Sequence, residues 1–377
     1  MIFVALSNSR MEKFNNNSDE GSFFHTTKWM EVLGKIDSIN PNYFLFFRGN
    51  DVIGILPFIQ SRKLYFNGYN PIPYSDSYHC IIQNEDHHIL QYLLRELQKQ
   101  KCSYVVLNTL NQDLFNTQTH FPQFPYLDFG NMVTDLKIFS PEKIWERISK
   151  RKKKKIQTFE KRGFAIKEIT SLNELKLFYK FYAQNIKHIK GSLQPLSFFK
   201  ILWDKLSPDD IRITLLSKGE LIAGGAFDFK FMPKKTYYCG YMALNRGLSN
   251  KFSPSYLLYW DDINWAWNAG FKKISLGFQT PNTPNPRYQI KKDFAGDFIP
   301  TYSKIISLSR LFTLAYRSTR PIVKIHQNLQ SRIQDSGKIA AWFFGGASDP
   351  RPVEKVQPEK TRHNTGTPTS PDPLRAE

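Results

Sequence analysis

The chain predicts a mixed α/β (α+β) protein made of two similar halves, each a central sheet flanked by helices. Three observations carry this reading. A β-hairpin pattern occurs twice. Each hairpin is followed by one helical stretch and one more apolar strand. At 377 residues the chain is long enough for two domains of ordinary size.

The elements are read in order. "FFHTTKWMEVL" from Phe23 predicts an early helix carrying an aromatic face. "YFLFFRGNDVIGILPFI", Tyr43 to Ile59, is an apolar strand, a Gly-Asn-Asp turn and a second apolar strand. "IRITLLSKGELIAGGAFDF", Ile211 to Phe229, repeats the scheme about 168 residues later around Lys218-Gly219-Glu220, a spacing suited to a duplicated domain. Both turns supply the positive φ that a tight hairpin needs. The first hairpin leads to "HHILQYLLRELQKQ" and "CSYVVLNTL", and the second to "SYLLYWDDINWAWNAG" and "KKISLGF". Strands apolar on both faces imply a sheet covered on each side.

A polar link near Ser140-Pro141 sets the expected boundaries: a first domain over 1–140 and a second over 141–309, whose opening helix starts near Glu142. A basic amphipathic extension is expected over 310–344. From Gly345 to 377 the chain is Pro-rich and polar, and is read as a disordered tail.

Composition narrows the function classes. With 52 Lys and Arg against 33 Asp and Glu, the formal charge of +19 points to anionic company, meaning phosphates, nucleic acid, acidic glycans or an anionic membrane surface. Three scattered cysteines without a CxxC pattern argue against a disulfide framework or a structural zinc, and no metal is expected. No apolar run approaches the roughly 20 residues that span a bilayer, and the N-terminus lacks a signal-peptide pattern. A cytoplasmic protein is expected, touching the inner face of an anionic membrane through Arg310 to Ile333.

Three stretches together resemble the Fem-type aminoacyltransferases and the related GNAT-like acyltransferases. They are "FFHTTKWMEVL", the basic "WERISKRKKKKIQTFEKRGFAIKEI", and "GLSNKFSPSYLLYWDDINWAWNAGFKKISLGFQ" with its sequel "YQIKKDFAGDF". The resemblance covers about Phe23 to Phe298 and implies two tandem GNAT-like domains. It also implies acyl or aminoacyl transfer to an amine or hydroxyl, often on a cell-envelope precursor. Aminoacyl-tRNA or acyl-CoA would be the donor, with no permanently bound cofactor. Two departures stand out: Ile290 and Ala295 alter the closing motif, and "NRGLSNKFSPSYLL" replaces the Gly-rich loop with which ordinary GNAT enzymes hold acetyl-CoA.

The candidate site residues follow from this frame. Lys150, Arg151 and Lys154 or Lys155, in the run of six basic residues Lys150 to Lys155, either clamp a phosphate-bearing ligand such as a tRNA acceptor stem or form a solvated helix face. Trp145, Ile148, Ile156 and Phe159 share one face of that helix, interrupted by Lys152. Ser253, before Pro254, reads as an N-cap, and with Ser255, Tyr256 and Arg246 it would line an anion site at a helix N-terminus. Tyr74 and Asp76, in "PIPYSDSYH", would line the acceptor groove by the resemblance. Gln279 and Tyr288 belong to the closing signature and are carried as substrate-binding. Lys291, just after the loop "QTPNTPNPRYQ", aligns with the family's lysine beside the reacting carbonyl, with Lys292 as the fallback. Asp261 and Asp262 are left without a role. The rivals to an aminoacyltransferase are an acyl-CoA-dependent N-acyltransferase for polysaccharide or lipid building blocks and a non-catalytic envelope or membrane adaptor.

Overall fold

Both hairpins form where their turn glycines permit. Gly49 and Gly219 take φ of 59° and 55°, the left-handed region open to glycine at little cost. Each turn is flanked by a register shift at the same place, between Phe46 and Phe47 in one hairpin and between Leu216 and Ser217 in the other. The duplication read from the sequence thus extends to the irregularities of the ladder. The computed structural model describes residues 2–5, 9–36, 39–63, 65–73, 75, 79–83, 87–127, 129–249 and 253–319.

The first half comprises β1 (Ile2–Ala5), α1 (Ser9–Asn17), α2 (Thr27–Gly34), β2 (Pro41–Arg48), β3 (Asp51–Lys63), β4 (Phe66–Asn70), β5 (Ile81–Ile82), α3 (His87–Lys99), β6 (Tyr104–Thr109), α4 (Gln112–Asn116), β7 (Gln123–Pro125) and β8 (Phe129–Asp135). The second comprises α5 (Pro141–Arg147), α6 (Lys150–Lys161), β9 (Ala165–Glu168), α7 (Leu172–His188), α8 (Leu196–Leu206), β10 (Ile211–Lys218), β11 (Leu221–Phe231), β12 (Thr236–Leu244), α9 (Arg246–Ser249), α10 (Pro254–Asn268), β13 (Lys273–Gln279), α11 (Pro286–Asp293) and β14 (Asp297–Ser307).

Among the described residues the strands form one 14-stranded sheet, ordered β1-β2-β3-β4-β6-β14-β8-β13-β12-β11-β10-β9, with β5 added on β3 and β7 on β14. The closing strands are exchanged. β8, from the first half, pairs with β13, whereas β14, from the second, pairs with β6, and the two pair with each other. This exchange turns two half-sheets into one.

Both faces are covered, as the apolar strands predict. On one side α2, α7 and α8 bury an aromatic core drawn from both halves, with Phe23 stacked on Phe229 at 5.2 Å and Phe24 edge-on to Tyr238 at 5.2 Å. On the other side α5, α6, α10 and α11 pack Ile144, Ile156, Leu258 and Phe294 together beneath β12 and β13.

The single helix expected from Glu142 through the basic run is two helices. Ile148 and Ser149 leave helical geometry, with ψ of 129° and 150°, and the break lets Ile144, Ile148, Ile156 and Phe159 all reach one core. Lys152, the interruption in that apolar stripe, is accounted for by an ion pair with Asp293 at 2.5 Å. A helix runs over 310–319 with Leu311 and Leu314 exposed. The rest of the basic extension to 344 and the tail over 345–377 lie outside the described residues. No helix among the described residues is long and apolar enough to cross a membrane.

Candidate active site

β12 and β13 are parallel, but they pair only from Thr236 to Tyr238 against Lys273 to Ser275. Beyond that point they separate, although β12 runs on to Leu244 and β13 to Gln279. The gap is a cavity of about 170 Å³. One strand lines it with Gly240 to Met242 and the other with Leu276 to Phe278. A bulge lies on each side. One falls between Phe227 and Asp228 on β11 where it faces Gly240, and the other between Ser275 and Phe278 on β13. Bulges re-aim side chains and end pairing, which is what opens the gap. Gly277 takes φ of 85° within the second bulge.

Lys291 closes one side of the cavity. Sequence placed it after a proline-rich loop; the structure puts it in the last turn of α11, which begins at Pro286 behind the cap Asn285. Its Nζ donates to the Gly277 and Phe278 carbonyls at 3.0 and 2.7 Å. Lys291 is only 7% exposed, so its charge sits in a poorly solvated place. Gly296 makes the fit possible, because a Cβ there would lie 2.8 Å from the Lys291 carbonyl oxygen. Lys292 instead pairs with Asp297 at 2.9 Å, its side chain 49% exposed, and does not line the cavity.

The opposite wall carries two carboxyls. Strand alternation sends Phe227 and Phe229 of β11 into the shared aromatic core and Asp228 to the other face. There Asp228 accepts from the Tyr237 hydroxyl at 2.9 Å and the Gly240 amide at 3.2 Å. Asp262 of α10 bonds to the Asp228 carboxyl and also meets Cys239 Sγ at 3.8 Å and Arg212 Nη1 at 3.2 Å. Arg212, directly across the ladder from Asp228, also donates to Glu168 and Asp261, each at 2.8 Å. Burial pushes Asp228 up to about 6, and the Arg212 charge holds it from rising further. Burial, reinforced by the neighbouring Asp228 charge, raises Asp262 well above the usual carboxylate range.

Asp261 and Asp262 therefore have partners that the sequence reading did not find. The available signal was a lone acid in the apolar run "GGAFDFKF" and a pair of acids in an aromatic helix. Asp228, Cys239 and Asp262 also place one ligand atom each within 4.8 Å of the others. The hydrogen bond between the two carboxyls accounts for that proximity.

The basic residues gather near the N-terminus of α10. Ser253 is its N-cap residue with Pro254 next, as expected, but its hydroxyl makes no capping bond and receives Lys155 Nζ at 3.1 Å instead. Tyr256, half a turn in, donates to Asp293 at 3.1 Å, and Lys155 lies 5.5 Å from its ring centre. Ser255 beside it is partly buried. Arg246 opens α9, bonds to Asn185, and lies close enough to Arg287 for their charges to oppose each other. Lys150, Arg151 and Lys154 are exposed. Of these Arg151 is near enough to act on the Tyr256 hydroxyl, and of the alternatives Lys154 and Lys155 it is Lys155 that makes the contact to Ser253. Gln279 is buried at the end of β13 and donates to the Thr280 carbonyl, and Tyr288 packs against Phe298. Tyr74 and Asp76 lie outside the described residues.

No family model matches the chain, and no curated protein matches it. Solved structures do. FemX aligns with a TM-score of 0.62 at 13% identity, covering 84% of this chain and 99% of that one. A tandem GNAT protein from the clavulanic acid biosynthesis pathway gives 0.52 at 7% identity, with 82% and 99% covered. L-PGS from Bacillus licheniformis gives 0.50 at 10%, with 82% and 96% covered. At these identities the likeness is one of fold, and the chain has the tandem GNAT-like fold that its resemblance to Fem-type and GNAT-like acyltransferases implies.

Proposed function

We propose that this chain is an acyltransferase that moves an acyl or aminoacyl group from a phosphate-bearing donor to an amine of a cell-envelope precursor. A peptidoglycan-like peptide, a lipid-linked glycan or an amino sugar would be the acceptor. The observation that carries this is the gap between β12 and β13, with a buried ammonium on one side and proton-sharing carboxyls on the other.

The donor's carbonyl would enter the gap between the two strands, with Lys291 on one wall and the carboxyl pair on the other. Its phosphates would lie at the N-terminus of α10, where Lys155 and the mutually opposed Arg246 and Arg287 favour an anion. Attack by the amine places negative charge on the carbonyl oxygen, and Lys291 is held where a fixed cation lowers the energy of that charge. Positioning and electrostatics do the work, without a covalent enzyme intermediate.

Donor class is tested by thermal melting with acetyl-CoA and with a set of aminoacyl-tRNAs. The donor that binds the folded state raises the midpoint, by the equivalent of about 2.7 kcal/mol at a hundred times its Kd. A rise with acetyl-CoA alone selects the acyl-CoA route, and a rise with one charged tRNA alone selects the aminoacyl route. No rise with any donor overturns the enzymatic reading in favour of a non-catalytic adaptor.

A further inference from the structure

We propose that the Asp228–Asp262 carboxyl pair removes the proton that keeps the attacking amine charged in the transfer assigned above. This rests on the acyl-transfer reading. Both carboxyls line the same cavity as Lys291, so a carbonyl bound between the two walls has a cation at its oxygen and an acceptor for the proton of its attacker. Proton transfer by a positioned carboxylate requires that geometry first.

The groups around the pair keep it singly protonated. Arg212 faces it from β10, with Glu168 of β9 and Asp261 of α10 sharing the guanidinium. Tyr237 and Cys239 face it from β12, Tyr259 from α10, and Lys291 closes the cavity from α11. Asp228 lies at about 6 and Asp262 well above its ordinary value, both through burial. A hydrogen bond between two carboxyls needs a proton on one of them, so the bonded pair shares one proton and can take a second. Two carboxyls pressed together and sharing a proton are a recurrent means of setting a base near working pH.

The step balances. The acceptor ammonium first gives a proton to the Asp228 carboxylate, which frees the nitrogen lone pair. The nitrogen then bonds to the carbonyl carbon, and the carbonyl π electrons move to oxygen beside Lys291. The carbonyl re-forms as the carbon–oxygen bond of an ester donor, or the carbon–sulfur bond of a thioester, breaks. The departing oxygen or sulfur takes the second proton from nitrogen, and the pair releases the first to solvent.

The test uses two acceptors with different needs. An alkylamine, here the side chain of Nα-acetyl-lysine amide, is charged at neutral pH and must lose a proton. Hydroxylamine is already uncharged and attacks without help. Transfer from acetyl-CoA and from alanyl-tRNA is measured to each, above the uncatalysed rate, with the full chain at pH 7. Asp228→Asn is expected to lower transfer to the alkylamine by roughly 100-fold or more while leaving hydroxylamine nearly unaffected. The wild type should also lose alkylamine transfer below about pH 6, an inflection absent from the variant. Equal loss with both acceptors makes the pair a structural element and overturns the proposal, as does no loss with either. A wild type that transfers nothing to hydroxylamine from either donor brings down the acyl-transfer reading, and this proposal with it.

Discussion

The two halves share a plan and differ in what fills the gap in the sheet. In the second half β12 and β13 part and leave a cavity. In the first half the equivalent strands, β4 and β6, also run parallel for only a short stretch, Gly68 to Tyr69 against Tyr104 to Val105. There the chain plugs its own gap. Ile81 and Ile82 pair with Ile55 and Gly54 of β3, and the Cys80 amide donates to the Asn108 carbonyl of β6 at 2.7 Å. A buried histidine pair secures the plug. His25 bonds to the His79 carbonyl at 2.7 Å, and His79 bonds to the Glu20 carbonyl at 3.0 Å. Where sheet backbone is satisfied from within, the half becomes scaffold. In the second half side chains meet the gap's backbone groups, Asp228 at the Gly240 amide and Lys291 at the Gly277 and Phe278 carbonyls, and the space between the strands stays open to a ligand.

The largest expected effect separates the buried charges of the second half from the neutral plug of the first. Arg212→Met leaves Asp262, Asp261 and Glu168 without their shared cation, and should cost about 3–5 kcal/mol in chemical denaturation. A change under about 1 kcal/mol, the usual worth of an exposed pair, would mean that the carboxyls around it are not held as charges.

Lys291→Met comes next. It should cut kcat by roughly 100- to 1,000-fold, about 2.7–4 kcal/mol, with little change in KM. Lys292→Met should be mild, because that ammonium faces Asp297 and solvent. Equal effects at both positions would remove the lysine from the mechanism.

Acid and base should act on the two halves in opposite directions. Burial lowers His25 to about 4, so its contribution is complete above 6.5 and is lost as pH falls through about 4. Burial raises Asp228 to about 6, so its contribution is complete below 3.8 and is lost as pH rises through about 6. Each is worth on the order of 3 kcal/mol. Amide exchange followed from pH 7 to 4.5 should speed up at Cys80 to Ile82 relative to Tyr237 to Gly240, and the reverse ranking would refute the contrast.

The smallest effect belongs to the exposed charges. Replacing Lys150, Arg151 and Lys154 together with Gln should raise KM for a phosphate-bearing donor a few-fold and leave the melt unchanged, since exposed charge pairs are worth less than about 1 kcal/mol each. Unchanged KM would make that stretch a solvated helix face.

Much of the fold was legible because its signals are local. Turn glycines, the 2.0 and 3.6 periodicities and the Ser253-Pro254 helix start all declare themselves within a few residues. The exchange of β8 and β14 was not legible, because no local pattern says which apolar strand will pair with which. Lys291 was reached through its motif, although the helix that buries it lies in what looked like a loop. Asp228 and Asp262 were missed for a different reason. They sit on separate elements, and only the bulge at Gly240 and the packing of α10 bring them together.

The central claim is that the donor binds in the second-half gap and not in the first. Hydrogen exchange read by mass spectrometry, with and without the donor that raises the melting midpoint, tests it most directly. Protection is predicted at Gly240 to Leu244, Leu276 to Gln279 and the first turn of α10, with Gly68 to Asn70 and Cys80 to Ile82 unchanged. Protection confined to the first-half segments would contradict the account.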